Sequence, residues 1–341
     1  MLKFDADKLQ KIFETLVEKD KFSGTVLVAK DNEIVFEEAY GMAYKQFNVP
    51  NQLDTKFNIG SLNKLITRIA ILQLLQKGQL ELDDYVGKHL PDFREDIAKK
   101  VKIRHLLSFT SGMGDYFNDI FTASLGKLRK ISDFVPFFID DPLLSEPGEK
   151  WNYSNAGYVV LGLIVEAVSG MDYYEYIREN IYLPAGMKDS DHFEVDSITP
   201  NLATGYTRYM PDESLHPSER RSNFFMIGSR GSPAGGGYST VKDLLLLDKA
   251  IAKESLLDSN HSKMVFRPLN VDPDSIPKSV ALAGGAPGLT ALYIKFIELG
   301  YTFIVLSNYD PEDVEPLMEQ IRDLVVPKSN QGKVVKMRCD E

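Results

Sequence analysis

Several residue types and motifs that define other protein classes are scarce or missing in this chain of 341 residues. Its one cysteine, Cys339, excludes an intramolecular disulfide and any zinc site built from cysteines. Its five histidines show no H-E-x-x-H or H-x-H spacing, so we expect no metal site and no cofactor. A G-x-S-x-G motif is also absent, which argues against an α/β-hydrolase.

Long apolar runs are missing as well. None approaches the roughly 20 residues that a membrane span needs, and the charged, amphipathic segment from Met1 to Asp20 lacks the apolar core of a signal peptide. We therefore expect a cytoplasmic protein without a membrane span, or a periplasmic or secreted one if a leader has been removed. The net charge of −10 argues against nucleic acid as a partner. The oligomeric state is left open.

Strand patterns lie near both ends of the chain, and helical patterns fill the middle. β-Branched, apolar stretches predict the strands, and apolar residues at helical spacing predict the helices. The predicted strands are 23–30, 33–40, 279–282, 292–296 and 302–307, and the predicted helices are 4–19, 61–78, 104–109, 158–169, 173–181, 240–252 and 312–325.

This order predicts a fold of the α/β (α+β) class, in which both chain ends build one antiparallel sheet flanked by terminal helices. A helical subdomain would be inserted between the two halves of the sheet. We predict a single domain over residues 1–341, with a sheet subdomain at about 1–60 and 248–330 and a helical subdomain at about 61–247.

The strongest predicted helix begins at Ser61, and Lys64 follows three residues later. Residues three apart on a helix share a face, so the hydroxyl and the ammonium group would lie side by side. A serine hydroxyl needs a base to become a good nucleophile, and a lysine can be that base where burial and a helix N-terminus lower its pKa. The free backbone N–H groups at a helix start would also suit a developing oxyanion.

The S-x-x-K spacing alone is not specific. It also begins at Ser124, Ser239 and Ser275, and the last of these has a proline inside the motif. Only Ser61 follows a glycine and begins a long apolar helix. A serine that caps the helix N-terminus would explain Ser61 without any catalytic role.

A second candidate segment, EPGEKWNYSN at 146–155, runs through a Pro-Gly turn and an aromatic loop into a helix that begins near Ala156. Its Tyr153 and Asn155 are two residues apart and can face one pocket. A phenol close to a lysine ammonium loses its proton more readily and can act as a base or proton shuttle. A loop tyrosine is nevertheless more often a packing residue with one hydrogen bond, and a second Y-x-N occurs at Tyr116.

Together, the Ser-x-x-Lys helix start and the PGxxWxYSN segment resemble the serine β-lactamase and penicillin-binding-protein family, in particular its class C β-lactamase and family VIII carboxylesterase group. IRHLLSFTSGMGDY at 103–116, the segment 158–187 and PAGGGYSTVKDL at 233–244 are similar to family segments as well. The resemblance implies a β-lactamase/transpeptidase-like fold, with the site in the cleft between the sheet and the helical subdomain.

The resemblance also implies a role for each motif residue. Ser61 would be the nucleophile, Lys64 the general base and Tyr153 a second proton-transfer residue. Asn155 would hold the substrate or orient Lys64. The backbone N–H groups of Ser61 and Gly285 would form the oxyanion hole, and the reaction would be acyl transfer through an acyl-enzyme that water hydrolyses.

The third family motif departs from its usual form. The family places K-T-G or H-x-G on a strand facing the serine, and the matching stretch here is LAGG at 282–285. Gly284 and Gly285 still let the backbone approach a substrate closely. Leu282 replaces the charged or protonatable side chain that would bind a substrate carboxylate, a task for which Arg230 or Lys295 is the nearby alternative. This favours neutral esters or amides over penicillins and peptidoglycan peptides.

Other residues are candidates for the walls of the cleft. Tyr116, Phe117 and Trp151 would line the substrate pocket, although ordinary packing explains them equally well. The glycine run at 235–237 lacks the Lys-Ser/Thr of a phosphate loop, so we predict that it forms a wall of the cleft.

Three functions are consistent with this sequence. The first is a carboxylesterase-like serine hydrolase acting on small acyl esters without metal or cofactor. The second is a β-lactamase, D,D-peptidase or D-amino-acid amidase, ranked second because of Leu282, since penicillins and peptidoglycan stem peptides carry a carboxylate. The third is a catalytically silent binding protein with the same fold, which the altered third motif suggests and the intact Ser61, Lys64, Tyr153 and Asn155 oppose.

Overall fold

The computed structural model describes residues 4–210, 214–267, 269, 277–314 and 316–325, so Cys339 and Ser275 lie outside the described residues. The strands are β1 (Gly24–Lys30), β2 (Glu33–Tyr40), β3 (Met42–Tyr44), β4 (Val49–Pro50), β5 (Phe57–Asn58), β6 (Tyr206–Thr207), β7 (Arg221–Ser222), β8 (Tyr238–Ser239), β9 (Ser279–Ala286), β10 (Leu289–Phe296) and β11 (Tyr301–Ser307). The helices are α1 (Ala6–Glu18), α2 (Asn63–Gln76), α3 (Val86–His89), α4 (Glu95–Lys100), α5 (Ile103–Leu107), α6 (Asp119–Ser124), α7 (Asn155–Ser169), α8 (Tyr173–Ile177), α9 (Leu183–Ala185), α10 (Val241–Ala252), α11 (Ser259–Val265), α12 (Pro311–Val314) and α13 (Leu317–Val325).

The main sheet has five antiparallel strands in the order β2-β1-β11-β10-β9. The hairpin between β1 and β2 turns at Asp31 and Asn32, whose φ angles of 50° and 68° are left-handed, as such turns require. On its other edge β1 pairs with β11, so that Gly24 lies opposite Ser307. Strands from the two ends of the chain are therefore neighbours, and the predicted antiparallel sheet is confirmed.

Both faces of this sheet are covered. Side chains alternate between the faces of a strand, and in β1 the residues Val26 and Val28 join a core that includes α1 and α13. Leu27 and Ala29 join the second core, which includes α2, α7 and α10. Burial on both sides explains why β1 is apolar without alternation. The predicted terminal helices on one side of the sheet are confirmed.

Helices α2 and α7 form the centre of the helical region, and they place two site residues. Every residue of α2 from Asn63 to Leu74 is buried, which explains its broad apolar face. Helix α7 begins at Asn155, one residue from the start near Ala156 that the sequence predicts, because the Ser154 side chain caps it by accepting a hydrogen bond from the Gly157 N–H. Asn155 therefore stands in the first turn of α7 and is buried.

Some elements differ from the prediction. The middle of the chain also contains short strand pairs, β5 with β8 and β6 with β7. Helix α10 packs against the main sheet, where Asp248 accepts hydrogen bonds from Tyr293 and Thr302. The predicted boundary near residue 247 falls inside this helix, and the division into subdomains stays a prediction. The predicted helix 312–325 is two helices, α12 and α13.

None of the helices in the described part of the chain is long and apolar enough to cross a membrane by itself. One pair, Asn155–Ser169 with Tyr173–Ala185, reaches that length and composition together but bends by 81°.

Candidate active site

Ser61 lies in a 3-10 turn, Gly60–Leu62, that leads into α2. Gly60 has a φ of +49°, a left-handed conformation that favours glycine. Its N–H donates to Asn58 Oδ1 at 2.9 Å, which holds the turn. The cap position of α2 is Leu62, which makes no side-chain cap, whereas Ser61 Oγ faces Lys64 and Tyr153. Ser61 is therefore not the N-cap serine of the alternative interpretation.

The ammonium group of Lys64 contacts three oxygen atoms from three segments of the chain. Nζ donates to Ser61 Oγ at 3.0 Å, to Asn155 Oδ1 at 2.7 Å and to the Ala234 carbonyl at 2.6 Å. The residue is 5% exposed. These contacts fix Nζ beside the serine hydroxyl, where a neutral lysine could accept the hydroxyl proton.

Tyr153 approaches the same hydroxyl from another direction. Its Oη donates to Ser61 Oγ at 2.8 Å. Its ring stacks on Phe109 with centroids 4.9 Å apart, and Lys64 Nζ is 4.7 Å from its ring centroid. Ser61 Oγ therefore lies within hydrogen-bond distance of two groups that can carry a proton, as nucleophilic catalysis by serine requires.

Asn155 connects Lys64 to a carboxylate that the sequence analysis missed. Asn155 Nδ2 donates to Asp115 Oδ2 at 2.6 Å, while its Oδ1 accepts from Lys64. The other carboxylate oxygen of Asp115 accepts from the Tyr116 N–H at 2.8 Å. Burial raises the pKa of Asp115 above its usual range, against the opposing effect of these hydrogen bonds. The carboxylate holds the amide in the orientation that presents oxygen to Lys64.

A cavity of about 550 Å³ is lined by Ser61, Tyr153 and their neighbours, while Lys64 lies behind its wall. Its lining includes Ser61, Tyr153 and Asn155 of the predicted site, and also Tyr116 and Gly285. Further described residues that line it are Asn58, Gly60, Asp115, Phe117, Phe121, Leu125, Leu128, Phe134, Val195, Met226, Ile227, Gly228, Arg230, Gly231, Ser232, Ala234, Gly235, Gly236, Tyr238, Ala286 and Leu289. Gly235 and Gly236 of the predicted glycine run belong to the wall of the cleft, whereas Gly237 does not line the cavity. The volume suits a small organic ligand.

Strand β9 brings the third motif next to the nucleophile. A Cβ atom on Gly284 would lie 2.1 Å from the Ile59 carbonyl oxygen and 2.8 Å from the Ser61 nitrogen, so only glycine permits this approach. Gly285 follows and lines the cavity. This places the strand backbone beside the turn at Ser61. That the N–H groups of Ser61 and Gly285 bind one oxygen atom stays a prediction.

Three predicted substrate contacts are not part of the cavity wall. Gly284 packs on the turn at Ser61, and Leu282 packs against the larger core. Trp151 is 51% exposed and lies against Phe109 and Tyr153. Their contact with substrate stays a prediction, without support from the cavity as the structure has it.

The structure also distinguishes among the remaining candidates, Tyr116, Lys295 and Arg230. The hydroxyl of Tyr116 pairs with Ser232 Oγ at 3.2 Å rather than with Ser61, so the second Y-x-N is not equivalent to the first. Lys295 forms an ion pair with the buried Asp248 and does not line the cavity, whereas Arg230 does. Spacing could not reveal the Ala234 carbonyl, which lies 170 residues from Lys64, or Asp115, which lies 40 residues from Asn155.

Comparison with known proteins agrees with this geometry. The family model described as Beta-lactamase matches residues 9–323. Penicillin-binding protein 4* of Bacillus subtilis (strain 168) is 32% identical over 331 residues, covering 90% of this chain and 72% of that protein. The structure of a penicillin binding protein from Bacillus halodurans superimposes with a TM-score of 0.79 at 30% identity, covering 90% of this chain and 98% of that one.

A more distant structure shows the fold alone. EstCE1, described as a hydrolase with promiscuous acyltransferase activity, matches with a TM-score of 0.74 at 19% identity, covering 94% of this chain and 98% of that one. The expected β-lactamase/transpeptidase-like fold and the family resemblance are both confirmed. This chain belongs to the Beta-lactamase family, whose fold is shared by serine hydrolases.

Proposed function

We propose that this protein is a serine hydrolase that forms an acyl-enzyme on Ser61 and acts mainly as an esterase on small acyl esters. The observation that carries the proposal is the position of Ser61 Oγ, 3.0 Å from Lys64 Nζ and 2.8 Å from Tyr153 Oη in an open cavity. In a protein that only binds ligands, nothing would require this alignment of a hydroxyl with two proton carriers.

The steps follow from the positions of the groups. Ser61 Oγ attacks the scissile carbonyl carbon while its proton passes to Lys64 in its neutral amine form or to Tyr153 as a phenolate. The carbonyl oxygen, now negative, accepts hydrogen bonds from the N–H groups of Ser61 and Gly285. The same proton returns to the leaving alcohol, which departs and leaves an ester on Ser61. A water molecule then attacks this ester and passes a proton to Lys64 or Tyr153. The bond between the acyl carbon and Ser61 Oγ breaks, Oγ takes up that proton, and the carboxylic acid leaves.

The preference for esters rests on Leu282 of strand β9. Leu282, at the position where the family usually has a lysine or histidine, is apolar and packs against the core. Binding a carboxylate at that position would leave its charge without a partner, which is costly. A β-lactamase, D,D-peptidase or D-amino-acid amidase is the second candidate, because all of them use the same acylation step.

The decisive experiment is intact-protein mass spectrometry after exposure to a fluorophosphonate probe, on the wild type and on Ser61→Ala. We expect one adduct on the wild type and none on the variant. A folded wild type that takes no adduct would favour the silent binding protein. Turnover of a chromogenic cephalosporin at rates matching those of p-nitrophenyl esters would favour the second candidate.

A further inference from the structure

Arg230 lines the cavity and is held in a fixed orientation before any ligand binds. Its Nε donates to the His192 carbonyl at 2.9 Å, and its guanidinium carbon is 3.6 Å from the ring centroid of Tyr174. Its backbone N–H donates to the Leu128 carbonyl at 3.0 Å, which fixes the main chain. A planar guanidinium stacked on an aromatic ring loses little further entropy when it binds a ligand.

This arginine has no carboxylate partner among the residues that the structure describes. Other arginines close by are paired: Arg178 with Asp191 at 2.6 Å, and Arg129 with Asp196 at 2.6 Å. The chain has 49 acidic and 39 basic residues, so a shortage of carboxylates does not explain the difference. The guanidinium carries five N–H groups, and the Nε bond to His192 occupies one.

The wall beside Arg230 is apolar. The backbone of residues 229 and 230 pairs with Leu125 and Leu128, whose side chains line the cavity together with Phe121 and Phe134. Ser61 lines the same cavity. Because both residues line one cavity, a ligand with a carbonyl group at Ser61 and apolar atoms against this wall would approach Arg230 with its far end.

We propose that Arg230 forms an anion subsite and that the preferred substrates are esters carrying a carboxylate, joined to the scissile group by an apolar spacer. The inference rests on the proposed function and deepens it. It also fits Leu282: this cavity lacks a cation on β9 but has one on the loop that precedes β8. A guanidinium binds a carboxylate through two parallel hydrogen bonds, which gives orientation as well as affinity.

The test compares kcat/KM for paired substrates. Mono-p-nitrophenyl succinate, glutarate and adipate place the carboxylate on the acyl side, and their methyl esters are the neutral partners. The pair of 4-acetoxybenzoate and phenyl acetate places it on the leaving-group side. We expect the wild type to prefer the anionic member in one of the two series by about tenfold or more. Arg230→Gln should remove that preference, and Arg230→Lys should retain part of it.

Arg129→Gln is the matched control, since it removes the same charge from an arginine already paired with carboxylates. We expect its anionic-to-neutral ratio to equal that of the wild type. An unchanged ratio in Arg230→Gln, or an equal fall in Arg129→Gln, would overturn the subsite.

The anion subsite can also be tested by binding alone, without ester hydrolysis. Thermal-shift titrations of the wild type and Arg230→Gln with monomethyl glutarate and dimethyl glutarate measure binding alone. Stabilisation by the monoanion that requires Arg230 supports the subsite even if no ester is hydrolysed, an outcome that would refute only the proposed function. Equal responses to the two compounds contradict the subsite, whatever the hydrolysis assays show.

Discussion

The two walls of the cavity contribute in different ways. The helical wall supplies side chains: Ser61, Lys64, Tyr153 and Asn155 are joined by hydrogen bonds of 2.7 to 3.0 Å. The sheet wall supplies mainly backbone, because β9 presents glycine beside the nucleophile and an apolar leucine where the family usually has a cation.

Because of this difference, the residues for acylation of Ser61 lie apart from the residues that select the substrate. A hydrogen-bonded network around a nucleophile tolerates little change, because each member positions the next. A strand that contributes only N–H groups can change its side chains without disturbing the attack on the carbonyl. The protein thus keeps the features for acylation and differs from the usual family pattern in a feature for choosing the acyl donor.

The largest effect should come from the helical wall. Lys64→Met keeps the length of the side chain but removes the amino group beside Ser61 Oγ, so we expect acylation to fall by more than about 10³-fold. The fold should survive with a loss of about 1–3 kcal/mol, since the Asn155 and Ala234 oxygens lose their donor. Stopped-flow ester assays and denaturant unfolding measure the two effects. A variant that is inactive because it is unfolded would not support a catalytic lysine.

Gly284→Ala examines the sheet wall through backbone position alone. The new methyl group would collide with the Ile59 carbonyl, so β9 must move away from Ser61. We expect kcat/KM to fall by about 10²-fold, since a displacement near 1 Å can have that effect. Gly126→Ala is the control, because its Cβ atom would meet nothing within 4 Å. If Gly284→Ala retains full activity, the close approach has no catalytic role.

Asp115→Asn should have a smaller effect, about tenfold on kcat/KM, because the hydrogen bonds from Asp115 reach Lys64 through Asn155 and its charge acts from a distance. Removal of a negative charge near the lysine disfavours its protonated form, so the acid limb of the pH–rate profile should move to lower pH. If the rate falls but the acid limb of the pH–rate profile stays at the same pH, Asp115 has only a structural role.

Stability adds a second readout for Asp115. Since burial raises its pKa in the folded state, its contribution to stability is present below pH 3.8 and lost as pH rises through the folded pKa. In Asp115→Asn, the free energy of unfolding should therefore depend less on pH in this range, as denaturant unfolding at a series of pH values would show.

The smallest effect is expected at Leu282. Leu282→Lys would place a cation on the sheet wall, and we expect hydrolysis of a carboxylate-bearing cephalosporin to rise by about two- to tenfold. The rise is limited because Leu282 packs on the core rather than lining the cavity. Leu282→Met is the control without charge. Equal rates for the two variants would show that the selectivity attributed to this position is wrong.

Much of the fold was predictable because it depends on local patterns. β-Branched, apolar stretches predicted the hairpin of β1 and β2, and apolar residues at helical spacing predicted helix α2 and the terminal helices. The strands β9 and β10 extend beyond their predicted ends through segments that contain glycine and alanine, which are uncommon in strands. The short pairs β5–β8 and β6–β7 left no pattern at all.

The sequence by itself determined which residues could carry the chemistry: a serine and a lysine at helical spacing, and a tyrosine and asparagine entering a second helix. Only the tertiary structure decided that these four meet and that Asp115 supports them. It also decided that Arg230 lines the cavity, whereas Lys295 is paired with Asp248. The physical reason is distance along the chain. Periodicity reports which face of an element is buried, whereas contacts across 40 to 170 residues arise only when α2, α7 and the loops that carry Asp115 and Ala234 pack together.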